Sequence, residues 1–389
     1  MPVKVAVLKE TRANEKRVAL VPNVVAKLKQ LGTDLYLQAG AGAGARQPDT
    51  AYQDQDVNVI ANPQGMVNDA DVVLSVQPPS AKTIEAMKEG AVLLSFIYAH
   101  KEIDTVKLLC DKKITCFAME LVPRISRAQA MDALSSQASL AGYYAALLGA
   151  TNLSRILPMM TTAAGSIRPA KTLVMGLGVA GLQALATARR LGSQVEGYDV
   201  RPETKEQAAS LGAKFVDTGV DARGEGGYAR ELTAAEKTKV AETLTKHIQA
   251  ADIIITTAAI PGRPSPKLIS KAQVDGMKTG SVIVDLAAEG GGNCEYTQPG
   301  ETIQVGTITI VAPLNVPSLL AEHASELYSK NQLNLLGLFV KDGVLNIDWK
   351  DEVLAKTCLT HAGEIKNEAA AKAVEQQGDE RRETGDGPT

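Results

Sequence analysis

Six residues, Gly176-Leu177-Gly178-Val179-Ala180-Gly181, follow an apolar run (Leu173 to Met175) and precede a stretch in which Leu182, Leu185, Ala186, Ala188 and Leu191 recur at helical spacing. A second apolar run then ends on Asp199. Glycines at this spacing between a strand and a helix suit a dinucleotide: the first permits a tight turn, the second lets a pyrophosphate approach the backbone, and the third lets helix pack on strand. The helix start adds free N–H groups and partial positive charge. Asp199, an acid about 20 residues on, would accept the adenosine-ribose hydroxyls and repel a 2′-phosphate, so NAD(H) is expected over NADP(H). Arg201 argues mildly the other way, because a guanidinium could pair a 2′-phosphate, but a solvated surface arginine is the plainer expectation. The bland alternative, an ordinary glycine-rich turn, leaves Asp199 without a task.

A second constellation runs Met119-Glu-Leu-Val-Pro-Arg124-Ile-Ser126-Arg127-Ala-Gln129-Ala-Met-Asp132-Ala-Leu-Ser135-Ser136-Gln137. One reading is purely structural: Ser126 as N-cap with Gln129 three residues on forms a capping box, and Asp132 continues an exposed face. The other notes that Gln129, Asp132 and Ser135, spaced by three, share a helical face or the edge of a turn. With Arg124 they could surround a carboxamide, which offers one acceptor and two donors. Residue chemistry alone leaves both open.

The elements that must position these groups alternate strand and helix. Strands are expected at Val3 to Leu8, Leu35 to Gln38, Val72 to Val76, Val92 to Phe96 and Thr115 to Ala118, with helices at Val21 to Leu31, Lys82 to Lys88 and Thr105 to Cys110. A long helix is expected from about Arg127 to Ala150, as a strut between two domains. Later strands are expected at Ile253 to Thr256, Ser281 to Asp285 and Thr309 to Val311, with helix again over Leu319 to Phe339. This alternation predicts an α/β protein with two Rossmann-like, doubly wound parallel sheets joined by long helices. The first domain is expected to be discontinuous, 1–136 plus 312–365, and the nucleotide domain to span 137–311. The segment 366–389, rich in Ala, Glu, Gln, Gly and Arg, reads as a frayed helix and disordered polar tail. The run Gly40-Ala-Gly42-Ala-Gly44 has the wrong spacing for a dinucleotide and reads as a turn that lets backbones approach.

Composition narrows the partners. With 389 residues the chain exceeds one ordinary core. Its 41 basic and 44 acidic residues leave a net charge of −3, so no basic field invites nucleic acid or anionic lipid. Cys110, Cys116, Cys294 and Cys358 form no C-x-x-C pair and no pattern with the four histidines, so neither zinc nor any other metal site is expected, and reduced thiols of a cytosolic protein are. No apolar run reaches membrane-spanning length and the start has no secretory pattern, so no direct membrane insertion is expected. Asp217 to Thr233 is glycine-rich and charged around a solitary Tyr228; it reads as a surface loop or as a lid whose tyrosine folds onto bound cofactor.

Several strings are more specific: KETRANEKRVALVP (9–22), MELVPRISRAQAMDALSSQ (119–137), MGLGVAGLQALATARRLG (175–192), YDVR (198–201), GGYARE (226–231), TTAAIPGRPSP (256–266) and AAEGGGNC (287–294). On these the chain closely resembles, over nearly its whole length, the NAD(H)-binding component of the proton-translocating nicotinamide nucleotide transhydrogenases, whose fold is shared with alanine dehydrogenase. The resemblance implies that Arg124, Gln129, Asp132 and Ser135 form the loop that holds the nicotinamide, and that Tyr228 is the tyrosine of a mobile loop. It implies cofactor contacts from Val179, Ala180, Val200, Arg201, Ala258, Glu289 and Asn293 beside the three glycines and Asp199. It further implies a homodimer, an NADP(H)-binding partner component and a membrane-spanning partner component. The chain would then sit at the cytoplasmic side of a bacterial inner membrane, peripheral through those partners.

The shared fold supplies a test. Arg17 matches the arginine that holds the substrate carboxylate in alanine dehydrogenase, but the catalytic lysine is replaced by Gln77 and the catalytic histidine by Tyr98. An amino-acid dehydrogenase needs a proton-transfer group beside the reacting carbon. Gln77 cannot titrate, and an ordinary tyrosine, with a pKa of about 10, is a poor base near neutrality. His100 reads as an ordinary loop histidine. Loss of this equipment suits hydride transfer between two nicotinamides, in which no substrate proton moves. Two other readings stand beside it: an alanine-dehydrogenase-like enzyme, and a non-enzymatic NAD-binding module in which 124–135 is only a helix cap.

Overall fold

The computed structural model describes residues 2–220, 233–260 and 262–383, apart from the side chains at 237 and 376–383; Tyr228 lies outside them. The chain forms two compact units, Met1–Gln137 with Pro317–Thr389, and Ala138–Val316.

The first unit is built on β1 (Val3–Val7), β2 (Thr33–Gln38), β3 (Asn58–Ile60), β4 (Val72–Leu74), β5 (Val92–Ser95) and β6 (Thr115–Ala118), ordered β6-β5-β4-β1-β2-β3 and all parallel. Strand β4 is short and apolar throughout because both faces are covered: Val72 and Leu74 belong to one core, Val73 to the other. Beyond β6 the parallel pattern ends. Cys358–His361 pairs antiparallel with β6, and Glu364–Ile365 pairs antiparallel with Cys358–His361. In the segment read from composition as a frayed helix and polar tail, Glu368–Glu383 is helical. Asn367 accepts the N–H of Ala370 at 3.0 Å to start that helix, and Ala370 and Val374, four apart on one face, pack on the core.

The second unit carries β7 (Met160–Thr162) and β8 (Gly165–Ile167), an exposed antiparallel hairpin that periodicity did not signal. It is followed by β9 (Lys171–Met175), β10 (Gln194–Tyr198), β11 (Lys214–Phe215), β12 (Ile253–Thr256), β13 (Val282–Asp285), β14 (Thr302–Val305) and β15 (Ile308–Val311). Their order is β11-β10-β9-β12-β13-β15-β14, parallel except for the edge strand β14. Ile253 and Ile255 face one core and Ile254 the other. The order reverses at β9, flanked by β10 and β12, so the loop leaving β9 lies at a topological switch point, where open α/β sheets bind ligands. In the Gly40–Gly44 run, a Cβ on Gly44 would lie 2.6 Å from the carbonyl oxygen of Lys16, a close backbone approach.

Candidate functional site

In the second unit the three glycines of the β9 turn do three different things. Gly176 has φ +94°, and a Cβ there would meet Thr257 Oγ1 at 2.8 Å. A Cβ on Gly181 would lie 1.8 Å from the carbonyl oxygen of Gly176, so this position is closed by backbone. A Cβ on Gly178 would meet nothing within 4 Å. The open space lies at the N-terminus of the helix Val179–Arg190, whose N-cap is Gly178 and therefore has no side chain with which to cap it. That combination fits a pyrophosphate: room above the second glycine, and the N–H groups of Val179, Ala180 and Gly181 at a positive helix end.

Asp199 follows β10 and its side chain is 6% exposed. It accepts the N–H of Leu177 at 2.6 Å, the N–H of Arg201 at 2.9 Å, and Arg201 Nε and Nη2 at 3.0 Å each. Burial opposes ionisation of this carboxyl, but Arg201 and the two N–H groups together hold it below the ordinary range. Arg201 is thus not the solvated surface arginine expected from sequence; two residues on, its guanidinium turns back to fork onto Asp199. Val200 between them is half-buried.

The loops after β12 and β13 are locked together. Asn293 is fully buried; its Oδ1 accepts the N–H of Ala258 at 3.0 Å, and its Nδ2 donates to the carbonyls of Ala258 at 2.8 Å and Pro266 at 2.7 Å. Its amide is committed to backbone, so it acts by holding the loop that carries Ala258. Asp285, which sequence reasoning missed, anchors the arrangement by accepting the N–H groups of Ala287, Asn293 and Cys294 and the hydroxyls of Thr256 and Thr297. The only sequence signal was an acid ending a fully apolar strand. Glu289 is exposed and accepts the N–H of Asn315 at 3.1 Å.

In the first unit, the capping box expected at Ser126 and Gln129 does not form. Ser126–Met131 is a 3-10 turn without a side-chain cap, and the α-helix begins at Ala133 and runs to Asn152. Asp132 caps it, accepting the N–H of Ser135 at 2.9 Å and its hydroxyl at 2.6 Å. Asp132 and Ser135 are therefore brought together, half-buried, while Gln129 stands exposed on the turn before them and Arg124 exposed ahead of that turn.

The same unit holds a buried polar cluster. Arg17, with a side chain 4% exposed, donates through Nε and Nη2 to the two oxygens of Glu15 at 2.8 and 2.6 Å, and through Nη1 to Gln137 at 2.8 Å. Gln77 Nε2 donates to Glu15 at 2.9 Å. Burial opposes ionisation of Glu15, yet Arg17 and Gln77 hold its carboxyl down at about 2. Glu10 accepts the N–H groups of Val76 and Gln77 at 2.6 and 3.1 Å, and burial pushes its carboxyl up to about 7. Glu120 fixes the next loop by accepting the N–H groups of Ile97 and Tyr98, and Tyr98 is held at φ +54°, stacked on Phe96. His100 is exposed. The arrangement gives the guanidinium of Arg17 an internal carboxylate and leaves an amide, not an amine, beside it. Sequence reasoning missed Glu10, Glu15 and Glu120; the E-x-R spacing of Glu15 and Arg17 on an extended segment was the available signal.

Residues 6–141 match the family described as "Alanine dehydrogenase/PNT, N-terminal domain" and residues 145–368 the corresponding "C-terminal domain". The chain is 45% identical to an NAD(P) transhydrogenase alpha-subunit chain of Rhodospirillum rubrum over 378 residues, covering 94% of this chain and 98% of the other. A solved transhydrogenase structure from Sinorhizobium meliloti superposes with a TM-score of 0.85 at 45% identity, covering 93% of this chain and 99% of that one. An L-alanine dehydrogenase structure shares the fold, with a TM-score of 0.78 at 22% identity and coverage of 96% and 99%.

Proposed function

The chain belongs to the alanine dehydrogenase/PNT family, and on that premise we propose that it is the NAD(H)-binding catalytic component of a proton-translocating nicotinamide nucleotide transhydrogenase. The observation that carries this reading over an amino-acid dehydrogenase is the state of Arg17 and its neighbour. The guanidinium is forked onto Glu15, and Gln77, where a dehydrogenase needs a titrating amine, donates to the same carboxylate. The turn at Gly176 to Gly181 and the acid Asp199 support NAD(H) as the resident coenzyme.

When bound, NADH supplies a hydride, which passes to NADP+ held by a partner component. The residues of this chain bind, orient and exclude water. The first turn of the helix Val179–Arg190 takes the pyrophosphate, Asp199 the adenosine ribose, and the loops carrying Val200, Ala258, Glu289 and Asn293 the remaining contacts. Arg124, Asp132 and Ser135 orient the carboxamide, with Asp132 and Ser135 already fixed on one another, and exposed Gln129 reaches toward the partner's nucleotide. Catalysis then comes from placement, which can supply several kcal/mol of barrier lowering when reacting carbons are held at about 3–3.5 Å.

The proposal includes a homodimer, for which the exposed hairpin β7–β8 is supporting: Met159, Met160 and Ile167 are 70%, 44% and 47% exposed, and a two-stranded hairpin is marginal in water by itself. It also assigns the proton path to a membrane-spanning partner and this chain to the cytoplasmic face, held there by its partners. No helix among the described residues is long and apolar enough to cross a membrane. Coupling of proton flow to hydride transfer then runs through changed contacts or nucleotide affinities between components.

The direct test mixes the protein with NADH, pyruvate and ammonium, and separately with NADH, NADP+ and the NADP(H)-binding component. No turnover in the first and hydride exchange in the second are expected; brisk amination of pyruvate would establish the dehydrogenase reading instead. A sharper test is Gln129→Asn. Shortening an exposed side chain by one methylene is expected to slow hydride exchange at least about tenfold while NADH affinity changes by less than about twofold. Equal losses in rate and binding would remove Gln129 from the role assigned to it.

A further inference from the structure

Asp132 sits at a junction. The 3-10 turn Ser126–Met131 ends before it, the α-helix Ala133–Asn152 starts after it, and its own backbone, at φ −70° and ψ 88°, belongs to neither. One buried side chain spans that junction. Asn331, on the helix Ala321–Leu336 and 6% exposed, donates through Nδ2 to the carbonyl of Ala130 at 2.9 Å, and its Oδ1 meets the hydroxyl of Ser136 at 2.8 Å. The direction of both bonds is fixed. A backbone carbonyl can only accept, so the amide nitrogen faces Ala130; the amide oxygen then faces Ser136, whose hydroxyl must donate. Ala130 and Ser136 lie on either side of Asp132, so a single amide sets the angle between turn and helix.

The neighbouring contacts show what this amide adds. The helix start is also held by Gln137, which accepts from Arg17 Nη1 at 2.8 Å and donates to the carbonyl of Ala324 at 3.1 Å. The turn is held elsewhere by groups open to water. The carbonyl of Ala130 accepts from Asn334 Nδ2 at 3.2 Å, an exposed side chain that bonds the carbonyl of Lys330 more closely, at 2.8 Å. Arg127, half exposed, pairs with Asp351, and solvent screens that ion pair.

We propose that Asn331 is a positioning residue for hydride transfer: by tying Ala130 to Ser136 it fixes the turn that carries Gln129 against the helix cap formed by Asp132 and Ser135. The inference rests on the transhydrogenase reading above and deepens it by naming a buried residue that acts through others. If Asp132 and Ser135 orient the carboxamide while Gln129 reaches toward the partner's nucleotide, the rate depends on how these groups stand to one another, and a misplacement of about 1 Å can cost about 100-fold. Pyrophosphate and adenosine ribose are taken by other loops, so binding survives loss of the tie. Gln332, the next residue on the same helix, supplies the contrast. It is 1% exposed, but its Nε2 turns to the sheet and donates to the carbonyls of Ser75 and Leu94 at 3.1 Å each. Removing it costs a buried amide without releasing the turn.

The test measures hydride exchange with the NADP(H)-binding component, affinity for NADH and ADP-ribose by calorimetric titration, and melting temperature, in the parent, Asn331→Leu, Ser136→Ala, their double variant and Gln332→Leu. ADP-ribose lacks the nicotinamide and so reports every coenzyme contact but those to that ring. Asn331→Leu is expected to slow exchange at least about tenfold while its affinities for NADH and ADP-ribose stay within about twofold of the parent. Ser136→Ala is expected to slow exchange too, and the double variant to be no slower than Asn331→Leu, because both changes cut one link. Gln332→Leu is expected to melt as early as Asn331→Leu does, yet to exchange within about twofold of the parent. Exchange at the parent rate in Asn331→Leu, or equal slowing in Gln332→Leu, overturns the proposal, the second by reducing Asn331 to a structural amide. Parent protein that exchanges no hydride with the partner component overturns the transhydrogenase reading and the proposal with it. If Asn331→Leu does not fold, Ser136→Ala against Gln332→Leu carries the same decision.

Discussion

Gly178→Ala is expected to weaken NADH binding by at least about tenfold while leaving the melting temperature within about 1 °C of the parent, and Gly181→Ala is expected to do the reverse first, lowering the melting temperature itself. The two residues are three apart in one turn, and the difference lies in what a methyl group would meet. At Gly178 the backbone is extended, with φ −77° and ψ −166°, which any residue adopts, and no protein atom lies within 4 Å of the added Cβ. Nothing in the folded protein registers the change. A pyrophosphate on the N–H groups of the helix start would, because these hydrogen bonds to a charged group are worth about 1.5–3 kcal/mol each and need close approach. At Gly181 the added Cβ stands 1.8 Å from a backbone carbonyl oxygen. That contact cannot be relieved by a side-chain rotation, so the helix must move off β9, at a cost on the order of 1–3 kcal/mol. Calorimetric titration with NADH and a thermal melt of each variant separate the two. Unchanged NADH affinity in Gly178→Ala would mean that the open space over the second glycine is not where the phosphates lie.

That turn was legible in the sequence because everything it needs is local: strand, three glycines, helix and acid lie within 30 residues, and each acts on its neighbours. Features decided by distant partners were not. Cys358–His361 is a four-residue strand whose only instruction to pair with β6 comes from the far end of the chain, and the helix Glu368–Glu383, read from composition only as frayed, packs Ala370 and Val374 on a core that composition cannot reveal. At 124–135 the geometry was not legible. Ser126 and Gln129 have the spacing of a capping box, but a 3-10 turn occupies that segment, and Asp132 takes over as the cap of the helix. Arg201 was misjudged for the same kind of reason, since an i,i+2 pair at a strand's end closes only if the chain turns back, which the loop after β10 makes it do.

Glu15→Gln is expected to destabilise the protein by about 3–5 kcal/mol, the cost of leaving a buried cation without its anion. Glu15 and Arg17 are both almost wholly withdrawn from water, at 0% and 4% side-chain exposure, so neither can fall back on solvent. Glutamine keeps the shape of the side chain and one acceptor, but it presents an NH2 group to the fork and to Gln77 Nε2, where two oxygens now accept from three side-chain donors. The melting temperature should fall on the order of 10 °C. The pH dependence identifies the cause. Glu15 has its carboxyl depressed to about 2 in the folded protein, so its contribution is present above the ordinary carboxylate range and is lost as pH falls from about 4.5 toward 2. Glu10, pushed up to about 7, has the opposite sign: the folded state keeps a proton that the unfolded state releases, so stability falls as pH rises from about 4.5 to 7 and levels beyond it. In Glu15→Gln the acid-side loss should become smaller, with Asp199 and the other depressed carboxylates keeping the rest, while the fall toward neutrality remains. Melting temperatures from pH 2.5 to 8 for the parent, Glu15→Gln and Glu10→Gln resolve the two slopes. A destabilisation in Glu15→Gln that leaves the acid-side slope intact would show that another carboxylate holds Arg17, and that the internal occupant of the dehydrogenase-like site had been misidentified.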